Sequence, residues 1–223
     1  VAIGTNSLTA NTSGYDNTAI GVSSLSSNNT GHTNTAVGGA ALNANTTGQQ
    51  NIALGNAALL NSTTGSYNVA LGRSALLSNT TASNNTAVGY QAGYSNTTGE
   101  KNTSLGNTAL YSNAGGQYNV ALGDRAAYST TSASNNIAIG SAALYHNTTG
   151  ANNVAIGRSA METNTTASNN TAVGYQAGYS NTTGVYNNFS GGVSGYNSTG
   201  DNNTFLGFAS GYGSTGSRNT FVG

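Results

Sequence analysis

A five-residue motif recurs through the whole chain, and its period limits what the chain can fold into. The motif reads Asn, a β-branched residue, Ala, an aliphatic residue and Gly. Its glycines follow a 17-residue period for the first eleven steps, and the last two steps have a 16-residue period. A fixed period of this kind marks a repeat protein. These motif glycines are Gly4, Gly21, Gly38, Gly55, Gly72, Gly89, Gly106, Gly123, Gly140, Gly157, Gly174, Gly191, Gly207 and Gly223.

A 17-residue period predicts an all-β fold. Helix–turn–helix repeats need about 33 residues, and the abundant Gly, Asn, Ser and Thr are poor helix formers. Two short strands and two turns fit one period, with the β-branched residue in a strand and Gly or Asn in the turns. We therefore predict a parallel β-solenoid, either a β-roll or a β-helix, with one 17-residue coil per repeat.

The last coils differ from the others, which predicts two regions. Residues 1–187 carry the regular 17-residue coils, and residues 188–223 carry the 16-residue variants. In the variants Phe189, Phe205 and Phe221 replace the motif alanine. A Phe side chain does not fit the space of an Ala. We therefore expect a changed cross-section or changed packing from about residue 188. A second internal relation is a duplicated block, since Gly72–Gly99 and Gly157–Gly184 differ at only three positions.

Alternation within the motif predicts which side chains point inward. Successive side chains of a strand point to opposite faces, so the motif Ala and Asn share one face. Ala suits a narrow interior, and the Val, Ile and Leu columns then point outward as an apolar patch that monomers avoid. Burial against other copies would cover this patch, with a homotrimer favoured over a dimer or a helical filament. The opposite assignment, with Val and Ile inside, stays open and would permit a monomer.

Composition argues against several classes of function. Five Lys and Arg against five Asp and Glu cannot neutralise a phosphate backbone, so nucleic acid is not expected as a partner. No apolar run approaches the length of a membrane span, so no membrane insertion is expected. The carboxylates and the two histidines lie in different coils, which suggests no acid–base pair. We predict no enzymatic activity, no metal site and no cofactor.

Three repeated columns are candidates for a function. The motif Asn is expected to form a stacked amide ladder. An interrupted Thr column, three residues before the motif glycine, resembles an ice-binding array only weakly. Tyrosines five residues after the motif glycine either pack as an aromatic ladder or stack on sugars of a host surface; they are Tyr94, Tyr111, Tyr128, Tyr145, Tyr179, Tyr196 and Tyr212. Glycosylation sequons recur seven residues after the glycine, which predicts a row of glycans if the host glycosylates; they are Asn11, Asn28, Asn45, Asn79, Asn96, Asn147, Asn164 and Asn181.

Two stretches resemble known fibre proteins. The sequence T-A-V-G-Y-Q-A-G-Y-S-N-T-T-G at Thr86–Gly99 and Thr171–Gly184 resembles repeats of phage tail fibres. The core at Asn153–Gly157 is similar to the head repeats of trimeric autotransporter adhesins, although those repeats are typically shorter than the coils of this chain. The resemblance implies a homotrimeric fibre that attaches to a surface.

The predicted function is therefore a structural segment of a viral tail fibre, at the virion surface, which acts as a shaft or contacts a receptor. A host-surface glycan is its candidate partner besides further copies of itself. The alternative is an extracellular or cell-surface filament or adhesin protein, carrying N-linked glycans.

Overall fold

The computed structural model describes all residues, 1–223, and every regular element in it is a short strand. The chain forms two compact units, Val1–Gly115 and Gly116–Gly223. The first contains β1 (Ala2–Ile3), β2 (Thr18–Ile20), β3 (Thr35–Val37), β4 (Ile52–Leu54), β5 (Val69–Leu71), β6 (Thr86–Val88) and β7 (Thr103–Leu105). The second contains β8 (Val120–Leu122), β9 (Ile137–Ile139), β10 (Val154–Ile156), β11 (Thr171–Val173), β12 (Asn188–Ser190), β13 (Thr204–Leu206) and β14 (Thr220–Val222).

Within each unit the strands pair in parallel with their neighbours in the chain, always in the same register. Ala53 pairs with Ala70 and Leu54 with Leu71, so identical positions of the repeat stack on each other. Stacked strands lie about 4.8 Å apart. The predicted parallel β-solenoid with 17-residue coils is confirmed. The expectation of two strands per coil is wrong, because each coil has only one.

The second half of each coil folds into a tight turn in place of the second strand. Ala40 and Leu42 have φ angles of 56° and 49°, in the left-handed region. Because Ala41 between them does not have a positive φ angle, the sign of φ alternates along this segment and the backbone cannot be extended. The strain of about 1–2 kcal/mol per left-handed residue is offset by hydrogen bonds between coils. The Ala40 N–H donates to Val22 at 2.8 Å in the preceding coil, and the Leu42 N–H donates to Ala58 at 3.0 Å in the next.

The core of each unit is narrow and made of small side chains. The motif alanines, such as Ala53 and Ala155, are fully buried. An Ala and a Leu from the turn, such as Ala58 and Leu59, complete the apolar part of the coil. The Val, Ile and Leu side chains of the strands point outward. The predicted orientation is thus confirmed, and the opposite assignment, with Val and Ile inside, is wrong.

The motif asparagines form a buried ladder that ties consecutive coils together. The Asn51 Oδ1 accepts hydrogen bonds from the backbone N–H and the Nδ2 of Asn68, at 2.9 and 3.2 Å. Its own Nδ2 donates to the Gly65 carbonyl at 2.8 Å. The same pattern repeats through both units, so each rung is bonded to the coils around it. The amide ladder expected from the sequence is present.

The variant coils keep a closely packed core by exchanging Leu for Gly. Phe189 is fully buried between Gly178 and Gly195, which stand where most regular coils have Leu. A Cβ on either glycine would overlap with the Phe189 ring. The ring therefore occupies space that the Ala and a neighbouring Leu side chain fill in regular coils. This change in packing begins near residue 188 and lies within the second unit.

This exchange makes a double-mutant cycle informative. Phe189→Ala should destabilise the second unit by about 3–5 kcal/mol through an internal cavity. Gly178→Leu should cost about 1–3 kcal/mol or more through overpacking. In the double variant the new Leu fills the cavity left by Phe189. The loss in free energy of unfolding should therefore be smaller than the sum of the two single losses by at least about 2 kcal/mol. Urea unfolding measures all three values.

The matched control is Gly93→Leu, because Gly93 is the counterpart of Gly178 in the duplicated block and lies in the other unit. Gly93→Leu combined with Phe189→Ala should give additive losses. If the losses of Phe189→Ala and Gly178→Leu were also additive, the claim that the Phe189 ring takes the space of a Leu at position 178 would be contradicted.

Candidate functional surfaces

The outward side of the strands forms an uncharged surface in each unit. We call it the strand face, and it consists of the residues one and three positions before each motif glycine. It includes exposed aliphatic side chains, of which Leu54 is 49% and Leu105 is 50% accessible. No Asp, Glu, Lys or Arg occupies either column in any coil. Every charged side chain belongs to a turn or loop. The strand face combines a column of aliphatic side chains with a column shared by Thr and aliphatic residues, and such an uncharged surface can be covered by a second copy of itself.

The tyrosine column is an aromatic ladder whose rings cover one another. The ring centroids of Tyr94 and Tyr111 lie 5.0 Å apart, with an angle of 7° between the ring planes. Tyr179 and Tyr196 stack in the same way, with a centroid distance of 5.0 Å and an angle of 9°. The rings are half-buried, apart from the exposed Tyr212. Ring faces inside such a stack are occupied by neighbouring rings. The geometry thus favours the packing role over the stacking of a sugar on these faces.

One residue interrupts the ladder in the second unit. Glu162 occupies the tyrosine position one coil before Tyr179. Partial burial raises the pKa of the Tyr179 phenol, and the negative charge of Glu162 raises it further.

The sequon column forms a second buried amide ladder. The Asn45 Nδ2 donates to Asn28 Oδ1 at 2.7 Å and to the Gly48 carbonyl at 3.0 Å. Seven of the eight predicted sites are buried, and Asn11 is half-buried with its Nδ2 bonded to Gly14. A glycan is attached through this same nitrogen, so the folded coils have no room for one at the seven buried sites. The buried sites are Asn28, Asn45, Asn79, Asn96, Asn147, Asn164 and Asn181.

A break in this second ladder provides a stability test. Ser62 replaces Asn in its coil, and the buried Asn45 Oδ1 next to it has no hydrogen-bond donor. Ser62→Asn should supply that donor and raise the free energy of unfolding by about 1 kcal/mol. The shift of the urea midpoint measures this gain. Loss of the gain in an Asn45→Ala background would show that it comes from the ladder, whereas an unchanged gain would contradict the assignment.

The titratable side chains stay scattered in the folded chain. His32 stacks on Tyr15 at 4.7 Å, and His146 packs edge-on against Tyr145 at 4.6 Å. Arg125 pairs with its neighbour Asp124 at 3.0 Å in an exposed turn, where the hydrogen bond and the charge of the carboxylate raise the pKa of the guanidinium. No three His, Cys, Asp or Glu side chains lie together as a set of metal ligands.

A further column, directly after the motif glycine, carries exposed aromatic side chains that were not among the candidates from the sequence. Tyr90, Tyr175 and Phe208 belong to it, and all are exposed. The Arg158 guanidinium carbon, on the preceding coil, lies 6.0 Å from the centroid of the Tyr175 ring. Extending the strand alternation past the glycine would have identified these positions as outward-facing.

Comparisons with known proteins identify no relative of this chain. No model of a protein family, no curated protein and no solved structure matches the chain. No helix is present that could cross a membrane.

Proposed function

We propose that the chain is a non-enzymatic structural segment of a homotrimeric fibre, with the strand faces of the three copies packed together. The observation that carries this proposal is the strand face itself, which is free of charge, is partly exposed in a single copy, and carries an outward aliphatic side chain one residue before the motif glycine in every coil except that of Ser190. Its rows repeat about every 4.8 Å, and a second copy of the same chain offers rows with the same spacing. A closed three-fold assembly would bury the face of every copy.

The role that suits such an assembly is that of a shaft or receptor-contacting region in a viral tail fibre, displayed at the virion surface. The sequence resemblance of Thr86–Gly99 and Thr171–Gly184 to tail-fibre repeats supports this role. The short coils, with few charges and two amide ladders, suit a stiff spacer.

Sedimentation equilibrium tests self-association. The chain should sediment at about three times its mass of 22.1 kDa. Leu54→Asp combined with Leu105→Asp should yield the single-copy mass, because two buried carboxylates per copy would face their symmetry mates without partners.

Thr64→Asp with Thr98→Asp is the matched control, since it adds the same charge at exposed positions away from the strand face. This variant should stay associated. A wild-type chain that sediments with the mass of a single copy, or equal dissociation of both variants, would contradict the proposal.

A further inference from the structure

Two coils exchange the order of an asparagine and a serine at the sequon column. Residues 60–64 read Leu-Asn-Ser-Thr-Thr, whereas residues 77–81 of the next coil read Leu-Ser-Asn-Thr-Thr. Residues 196–199 read Tyr-Asn-Ser-Thr, whereas residues 179–182 of the preceding coil read Tyr-Ser-Asn-Thr. The exchange moves the asparagine from the seventh to the sixth position after the motif glycine. No other coil has an asparagine at that sixth position.

The two moved asparagines, Asn61 and Asn197, are exposed, in contrast to the buried asparagines of the sequon column. The Asn61 backbone N–H donates to the Leu77 carbonyl at 3.1 Å, and its side chain makes no hydrogen bond within the chain. The Asn197 Oδ1 accepts from Ser180 Oγ at 3.0 Å, while its Nδ2 makes no hydrogen bond. Both Nδ2 atoms are therefore outside the ladder that engages this atom in the sequon column.

The exchange does not stabilise the fold. Ser62 and Ser198 occupy the buried ladder position in these two coils. In each preceding coil a ladder amide oxygen, that of Asn45 or Asn181, has no hydrogen-bond donor. A buried polar group without a partner costs about 1–3 kcal/mol. Two separate coils carry this cost, and what both gain in return is an exposed asparagine.

Both exposed asparagines begin a glycosylation sequon. Each is followed by a serine and then by a threonine, Thr63 or Thr199, which completes the Asn-x-Ser/Thr pattern. Neither Asn61 nor Asn197 belongs to the strand face. A glycan on either residue is thus not attached to the surface that the proposed assembly buries.

We infer that Asn61 and Asn197 are acceptors of N-linked glycans. In the transfer, Nδ2 bonds to C1 of the first sugar of an oligosaccharide carried on a polyprenyl diphosphate. The bond from C1 to the diphosphate oxygen breaks, and Nδ2 releases one proton to a base of the transferase. The inference goes beyond the proposed fibre and does not rest on it, because it requires only a producing cell with N-linked glycosylation.

Four further sequon asparagines are exposed, and the inference does not include them. The Thr or Ser that completes each of these sequons belongs to the strand face, which the proposed assembly covers, whereas Thr63 and Thr199 lie outside it. These four asparagines are Asn84, Asn169, Asn188 and Asn202.

Secretion of the full chain from yeast cells, followed by site mapping, tests the inference. Peptide-N-glycosidase converts a glycosylated Asn to Asp, so mass spectrometry of peptides locates each occupied site. The folded chain should carry glycans at Asn61 and Asn197, and its mass should exceed 22.1 kDa. Asn79 is the matched control in the coil after Asn61. It is buried, and it should be unmodified.

Reversing the exchange keeps the composition and moves the sequon. Asn61→Ser combined with Ser62→Asn leaves an Asn-Thr-Thr sequon, with its asparagine in the buried ladder. The glycan should be lost from this coil, and the urea midpoint should rise as for Ser62→Asn alone. Ser78→Asn combined with Asn79→Ser makes the exchange in the next coil and should add one glycan.

A reference glycoprotein secreted from the same cells confirms that the transferase is active, and far-ultraviolet circular dichroism checks the fold of each variant. The inference is overturned if Asn61 and Asn197 are unmodified, or if Asn79 is occupied to the same extent in the folded chain. A glycan on the relocated asparagine of the reversed variant would also overturn it. Sedimentation equilibrium of the same samples tests the trimer separately from the glycans.

Discussion

Gly38→Ala is expected to unfold the first unit, whereas Gly39→Ala one residue later should change its stability little. A Cβ on Gly38 would lie 2.5 Å from the carbonyl oxygen and 2.6 Å from the carbonyl carbon of Gly55. Both atoms are backbone in the next coil and cannot move without separating the strands. The φ angle of 133° adds strain for any residue other than glycine. We expect a loss of more than about 4 kcal/mol.

The control differs in each of these respects. A Cβ on Gly39 would meet only the end of the Asn56 side chain, at 3.1 Å, and its φ angle lies outside the left-handed region. We expect an effect within about 0.5 kcal/mol, as for other surface substitutions. Circular dichroism during urea unfolding gives both values. Similar losses for the two variants would show that coils do not stack through the motif glycines.

Asn68→Asp should be almost as disruptive, in a manner that depends on pH. The Asn68 Nδ2 donates to the Ala82 carbonyl at 2.9 Å and to the Asn51 Oδ1 at 3.2 Å. A carboxylate oxygen in its place would face two acceptors in a buried site. We expect a loss of about 3–5 kcal/mol at pH 7, the usual consequence of an unpaired buried charge.

At low pH this loss should become smaller. Burial and the two acceptors raise the pKa of the introduced carboxyl in the folded state, above the unfolded value of about 3.9. The folded state then holds a proton that the unfolded state has released. Stability therefore falls as pH rises from about 4, by about 1.4 kcal/mol per pH unit, until the folded pKa is reached. Below pH 4 the protonated oxygen can donate to Ala82.

The exposed Asn84→Asp provides the control and should be insensitive to pH. The wild-type chain provides a flat baseline, because it has only five Asp and Glu and two His. Urea unfolding at pH 3, 5 and 7 measures the three curves. A pH-independent loss in Asn68→Asp would contradict the buried ladder.

The coil length, the parallel stacking and the inward Ala column could be predicted from the sequence, because each follows from a repeat with strict alternation. The second half of the coil could not. Leu in a left-handed conformation is unfavourable for an isolated residue. In this chain Leu42 and Leu59 adopt it because the resulting turn places their side chains in the core and their N–H groups toward the next coil.

The environments of the sequon column and of the tyrosine column could not be predicted from the sequence pattern either. A sequon such as that at Asn45 is defined by three neighbouring residues, but its burial depends on which way the turn closes. Tyrosines at one repeat position must lie one coil apart. Whether their faces stay open or close into a stack, as for Tyr94 and Tyr111, depends on rotamers. The Phe189 exchange was visible as a change of residues, and only the structure shows that Gly178 and Gly195 accommodate the ring.

The central claim is that the strand faces of several copies pack together, and electron cryomicroscopy of the assembled chain tests it most directly. The account predicts three copies around one axis, with Leu54 and Leu105 of each copy in the contact between copies. Single copies, or an assembly in which the strand face remains exposed, would contradict it.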